Sequence, residues 1–407
     1  MRAAARAGRR SRLGAFPIGA AVSLTQLDVD PHPVLARLRE HEPVSWLPAL
    51  DGWLVTRRDL AMGVMRDPGA FTVDDPRFST GQVVGPSMLT LDGAAHARHR
   101  APFAGPFRLD AVRERFSGPV AAEADRLIDA ISPAGTAELR RELAGPLAAA
   151  TVTHALGLEE AGTAEVLGWY EAIVASVTEI TAGRAPTEAG RRGFEALRAA
   201  VEPALERTPE TSLVAAAAAG AGGLARGEVV SNAAVLLFGG IETTEGMIAN
   251  AVAHLLAHPD QLAAVRSEPA LLANAIEESL RLEPAAAVVD RYATRDVELA
   301  GAAIGARELV VVSIAGANRD PSVFPAPDRF DARRPNARLH AAFAHGPHVC
   351  IGMHLARLEA QTVITRLLDR LPDLRLEPGV EAPARGLVFR KPDALRVRWT
   401  PAIAATG

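Results

Sequence analysis

The sequence has one cysteine and one lysine in 407 residues, and it lacks any apolar run long enough to cross a bilayer. A single Cys excludes an internal disulfide, a multi-cysteine zinc site and an iron–sulfur cluster held by this chain alone. Cys350 is left as either a buried small side chain or one functional thiol. With Lys391 the only lysine, arginine carries nearly all the positive charge, a bias we read as that of a GC-rich bacterial genome. The formal net charge is −4 and the pI about 6.3, which excludes a basic nucleic-acid binder. The longest apolar stretch, Ala233 to Ile241, falls short of the roughly 20 residues of a membrane span and runs into Glu242. The opening MRAAARAGRRSRLGAFPIG is basic and has no apolar core of signal-peptide length. The expectation is a cytoplasmic protein with a flexible N-terminus over 1–20 and one domain over 21–407.

What is present reads mainly as helix, since Ala, Leu, Arg and Glu dominate. Ala111 to Ile131 spaces apolar residues three and four apart, with Gly118-Pro119 as the point where it divides into two helices. Strand signals are few: Val44 to Trp46 with Trp53 to Thr56 as an early hairpin, Leu309 to Ile314, and Ala394 to Trp399. Leu213 to Gly227 is Ala/Gly-rich, either a flexible connection or a weakly specified helix. The fold class is therefore mainly α with small β-sheets.

Cys350 lies in Phe343-Ala-His-Gly-Pro-His-Val-Cys-Ile-Gly352, and Ile351 to Leu371 reads as the helix that follows. A thiol just before a helix N-terminus gains a lowered pKa from free N–H groups and the helix dipole. It can then serve as a thiolate ligand, or as a nucleophile if His345, His348 or His354 acts as base. Gly346 and Gly352 allow a flat partner to approach the backbone, and His348 can donate to an anionic group.

Glu228 to Ala257 is the longest apolar helical pattern, interrupted by Phe238-Gly-Gly-Ile-Glu-Thr-Thr-Glu245. Two glycines and back-bonding threonines predict a local opening in a buried helix. Glu242 beside the Thr243 hydroxyl is an acid–alcohol pair able to relay protons. Glu278 and Arg281 stand three apart on one helical face. Arg329, in the Pro-rich Phe324 to Phe330, is the expected third member of a buried triad with them. His96 and Arg100, one turn apart, join Arg291 and His348 as donors suited to carboxylates.

Together these residues resemble the cytochrome P450 family of haem-thiolate monooxygenases, in family order from about Asp28 to Trp399. The points of match are His96/Arg100, Gly239 to Thr243, Glu278/Arg281, Phe324 to Phe330 and the Cys loop. Ala344 departs from the pattern, standing where the family loop usually has glycine. The resemblance implies the P450 fold, with haem b between a long distal helix and the proximal Cys loop and helix. It implies Cys350 as axial thiolate; His96, Arg100, Arg291 and His348 as propionate ligands; and Gly240, Phe343 and Gly352 beside the haem. Glu242 and Thr243 become the proton-delivery pair, and Glu278, Arg281 and Arg329 the structural triad. Val83, Val84, Met88, Leu89, Ala286, Val288, Leu387 and Val388 become the apolar substrate pocket.

The expected reaction inserts one oxygen atom of O2 into a largely hydrophobic small molecule, by hydroxylation or epoxidation. With no cluster or flavin motif of its own, a monomeric haem domain needs electrons from a ferredoxin and its reductase. Arg98, Arg108, Arg113 and Arg357 are the expected docking face. A peroxide-driven peroxygenase and a non-catalytic haem sensor or carrier are the alternatives. The intact acid–alcohol pair argues against both.

Overall fold

The computed structural model describes residues 12–181, 184–206, 212–219, 223–379 and 381–401. In chain order, the helices used below are α1 (His32–His41), α2 (Arg58–Arg66), α3 (Ser79–Val84), α4 (Gly93–Ala104), α5 (Leu109–Ile131) and α6 (Gly145–Leu156). They continue with α7 (Thr163–Thr181), α8 (Glu188–Ala204), α9 (Arg226–Ala257), α10 (Leu271–Leu282) and α11 (Met353–Arg370). The chain is mainly helical with small sheets, as its composition implies. Its contacts group into two compact units.

The first unit takes residues 1–73, 277–350 and 383–393. Its centre is a five-stranded sheet in the order β1-β2-β8-β5-β3: β1 (Val44–Leu47), β2 (Gly52–Val55), β3 (Phe71–Thr72), β5 (Val288–Ala293) and β8 (Leu309–Ser313). The early hairpin pairs Trp46 with Trp53. β2 then runs parallel to β8, with Trp53 opposite Val310. The β-branched run Leu309-Val-Val-Val-Ser313 is buried on both faces after its first residue, which is why it reads as a continuous apolar stretch rather than an alternation. Within the segment expected to be flexible, Pro17–Ala20 is a short helix, and the Arg12 guanidinium lies over Trp46 and bonds Glu308. Residues 1–11 lie outside the described residues.

The second unit takes residues 74–276, 351–382 and 394–407. Here α9, 32 residues long, packs against α6, α7, α8 and α11, and α11 packs along α5. A small sheet sets β12 (Arg396–Arg398) between β4 (Thr136–Glu138) and β9 (Arg375–Leu376). Two expectations change. The 109–131 pattern is one helix: Gly118 and Pro119 sit on its exposed face, where water can bond the carbonyl that the proline ring leaves unpaired. Helix α9 is likewise continuous through its two glycines, and the Ala/Gly-rich stretch after Ser212 is helical over Leu213–Ala219.

Candidate active site

The cysteine loop of the first unit folds on itself through short local bonds. The Cys350 amide donates to the Phe343 carbonyl at 2.8 Å and Val349 to Gly346 at 3.1 Å. Cys350 is half-exposed, in no disulfide, and stands three residues before the start of α11. Gly346 has φ +75°, and a Cβ there would lie 2.4 Å from the Met65 carbonyl of α2, so glycine is required where the loop crosses that helix. Ala344 also adopts a left-handed backbone, φ +57°. That conformation explains why the departure from glycine matters. His345 is held below its usual pKa by burial and by Arg66 and Arg58.

Upstream of the loop, His340 is anchored from α10. Its Nε2 bonds Glu277 at 3.0 Å, both groups almost fully buried, and its Nδ1 accepts from the Ala342 amide. Nothing in the sequence reading marked this pair. The residues stand 63 positions apart and share no spacing signal.

The buried acid of the triad is Glu278. Arg281 binds it bidentately at 2.7 and 2.9 Å. The third charged partner is Arg334, not Arg329: Arg334 Nε donates to Glu278 Oε1 at 2.9 Å. Arg329 points its side chain outward and contributes only its carbonyl, which accepts from both Arg281 and Arg334. The Pro-rich stretch supplies further acceptors, with Pro327 and Asn318 carbonyls on Arg281 and Pro325 and Ala326 carbonyls on Arg334. All five donors of Arg281 and four of those of Arg334 thus point at a fixed carbonyl oxygen or at Glu278, which is what burying two cations on one anion requires.

Arg291 is buried on β5 and donates to the Asp290 carbonyl at 2.7 Å, while His348 is half-buried beside the Cys. Segments 285–289 and 386–390 are brought together: Ala287 N–H donates to Val388 O, and Arg390 N–H to Ala285 O. Val288 and Leu387 are half-buried and pack against the apolar cluster of Leu27, Leu35, Leu54 and Ala315. Ala286 and Val388 are half-buried on the paired segments.

In the second unit, α9 is almost wholly buried. Between 229 and 253 its half-exposed positions are Val235, Gly239, Gly240 and Thr243, a stripe at four-residue spacing. A Cβ at Gly239 would meet nothing within 4 Å. Thr243 donates its hydroxyl proton to the Gly239 carbonyl at 2.6 Å, which leaves the oxygen lone pairs free to accept along that stripe. Glu242 is buried one residue round the helix. On α4, His96 is buried and Arg100 half-buried on the same face.

Val83 and Val84 end helix α3, not a loop, and the loop after it, which carries Met88 and Leu89, is tied to α9. The Met88 amide donates to Asn232 Oδ1 at 2.8 Å, and Ser87 and Thr90 bond each other beneath it. Asn232 Nδ2 meets the buried His99 ring at 3.0 Å, and the other His99 nitrogen meets Glu228 at 3.2 Å. Arg98 binds Glu228 in a fork, holding its carboxyl down at about 2. Arg98 stays exposed while pairing with the first turn of α9. Arg113 and Arg357 together depress the half-exposed His354, after burial, and so share one patch.

The cytochrome P450 family profile matches residues 210–383. The chain is 36% identical over 398 residues to the cytochrome P450 monooxygenase PikC of Streptomyces venezuelae, covering 91% of each. It is 35% identical to the nocardicin C N-oxygenase of Nocardia uniformis subsp. tsuyamanensis, covering 96% of this chain and all of that one. Among solved structures, the post-tailoring hydroxylase HmtN of himastatin biosynthesis superposes with TM-score 0.80 at 30% identity, over 91% of this chain and 98% of that one. The chain belongs to the cytochrome P450 family.

The residues present fit that family's cofactor, haem b. There is one thiol in a loop whose glycines permit close approach. Two arginines and two histidines suit paired carboxylates, and the glycine stripe of α9 offers no side chain to obstruct a flat ring. Among the described residues no helix is long and apolar enough to cross a membrane.

Proposed function

We propose that this P450 oxygenates a largely hydrophobic natural-product scaffold, with Cys350 as the thiolate that would hold the haem iron and Glu242–Thr243 as its proton-delivery pair. The observation that supports the reading is the half-exposed stripe of Gly239, Gly240 and Thr243 on an otherwise buried helix. It sets a hydroxyl acceptor one turn from Gly239, where a Cβ would meet nothing within 4 Å. Bound haem supplies the reductive activation of dioxygen and transfer of one of its oxygen atoms to the substrate, the other leaving as water. The chain's part is to hold and to steer. Cys350 presents a thiolate from a loop fixed by the Phe343 and Gly346 carbonyls. His96, Arg100, Arg291 and His348 neutralise the propionates. Thr243 accepts a hydrogen bond and passes on a proton that Glu242 replenishes. Val83, Val84, Met88, Leu89, Ala286 and Val388 exclude water from the substrate.

Relatives named as a 20-oxo-5-O-mycaminosyltylactone 23-monooxygenase and a nocardicin C N-oxygenase favour a tailoring role. Electrons come from a cytoplasmic ferredoxin and reductase, docking at Arg108, Arg113 and Arg357. Reconstitution tests the reading: haem-loaded protein should consume NAD(P)H with a ferredoxin and its reductase, and the reduced carbonyl complex should show the red-shifted Soret band of thiolate ligation. Cys350→Ser should abolish that band. A retained band would overturn the ligand assignment, and turnover with peroxide alone would place the protein among peroxygenases. Reversing Arg113 and Arg357 to Glu should weaken ferredoxin coupling, and unchanged coupling would remove that face.

A further inference from the structure

The chain has two tyrosines, and one of them, Tyr170, is buried on α7 with its hydroxyl on the acid of the proton-delivery pair. The phenol O–H donates to Glu242 Oε2. Both side chains are nearly inaccessible, Tyr170 at 6% and Glu242 at 5%. Each group needs a partner in such surroundings, since a phenol or a carboxyl left bare in an apolar interior loses its hydrogen bonds to water with nothing in return. Tyr170 sits on the buried face of α7 with Val166, Ile173 and Val177, so its ring is fixed by packing and only its hydroxyl is polar.

The helix geometry makes the contact consequential. Adjacent residues on α9 are a little over a quarter-turn apart. Thr243 lies on the half-exposed stripe, its hydroxyl proton given to Gly239, whereas Glu242 is turned to the buried side and held on α7. Acid and alcohol are sequence neighbours, yet they are held on different faces. The bond to Tyr170 holds the Oε2 of that carboxyl toward α7, whereas Thr243 lies on the half-exposed stripe. Helix α7 packs on α9 and also on α3, whose last residues are the pocket candidates Val83 and Val84.

We infer that Tyr170 is a positioning residue that parks Glu242 on α7, so that proton delivery waits on the placement of α7 against α3. The inference rests on the reading of Glu242 as the delivering acid. No bond other than hydrogen bonds changes at Tyr170: its proton stays on the phenol, and the proton delivered is that of the Glu242 carboxyl.

The test uses the haem-loaded ferric enzyme and its Tyr170→Phe, Glu242→Gln and double variants. Infrared difference spectra with 13C-labelled glutamate should show one carboxyl band shifted by Tyr170→Phe, and no such shift in the Glu242→Gln background. With NADPH, a ferredoxin and its reductase, and no substrate added, Tyr170→Phe should raise NADPH oxidation about 2- to 10-fold, the span expected for one hydrogen bond. That increase should vanish in the double variant. Glu242→Asp, which withdraws the carboxyl by one methylene with Tyr170 intact, should reproduce the infrared shift and guards against a folding defect in the first variant. If Glu242→Gln leaves oxidation and peroxide yield unchanged, the acid assignment itself fails. If Glu242→Gln slows oxidation while Tyr170→Phe matches wild type in both readouts, the parking role alone is overturned. An effect of Tyr170→Phe that persists in the double variant overturns it as well.

Discussion

Ala344 is the residue of the cysteine loop whose side chain and backbone disagree. At φ +57° a Cβ costs about 1–2 kcal/mol, whereas glycine adopts that region freely. Part of the relief is offset by the greater freedom of glycine in the unfolded chain and by lost contact of the Ala344 methyl with the sheet's apolar cluster. Ala344→Gly should therefore stabilise the haem-loaded protein, by less than about 1 kcal/mol, and slow loss of the thiolate-type carbonyl spectrum on warming. A Gly variant with an equal or lower unfolding midpoint would show that the loop does not store this strain. The departure at Ala344 was legible because the loop is a contiguous pattern. Arg334 was not, since Arg329, Arg333 and Arg334 stand within six positions and spacing alone cannot choose among them. Only the path of the chain, which turns the Arg329 side chain outward and Arg334 inward, decides it.

At the scale of elements, periodicity carried the long helices and the alternating or β-branched runs carried the strands. It failed where the deciding interaction lay outside the window. Pro119 reads as a breaker, but its exposed position lets α5 continue. The loop after α3 has no pattern of its own; its placement is set by one side chain of α9. Asn232 is fully buried and divides its amide between the Met88 N–H and the His99 ring. Asn232→Leu keeps the volume and removes both partners, leaving the Met88 N–H without this acceptor at a cost of about 1–3 kcal/mol. Hydrogen exchange at residues 85–90 should then accelerate at least tenfold, while the middle of α9 keeps its protection. Unchanged exchange in that loop would mean that Ser87 and Thr90 hold it without Asn232.

At the scale of the molecule, long-range charge organisation was the part least visible in the sequence, because its members come from distant stretches. The first unit is assembled from three separate pieces of chain, and a buried acid, Glu283, ties all three. It bonds His32 at 2.9 Å and Arg390 at 2.7 Å, 251 and 107 positions away, with Arg319 at 3.9 Å. Arg390 in turn donates to the Asp28, Gly386 and Ala384 carbonyls, so the acid fixes a cation that sews the last piece to the first. Burial pushes the Glu283 carboxyl up, but His32, Arg390 and Arg319 outweigh it and bring it down to about 2. A folded-state value below the ordinary 4.5 means that the carboxylate stabilises the fold above about pH 4.5 and loses that contribution as pH falls toward 2. Glu283→Gln leaves buried cations without their counter-charge, a loss of about 3–5 kcal/mol at pH 7. Measured by urea midpoints, the gap between wild type and Glu283→Gln should be full from pH 5 to 7 and narrow steadily from pH 4.5 down to 3. A gap as wide at pH 3 as at pH 7 would show that shape, not the charge of Glu283, holds the three pieces together.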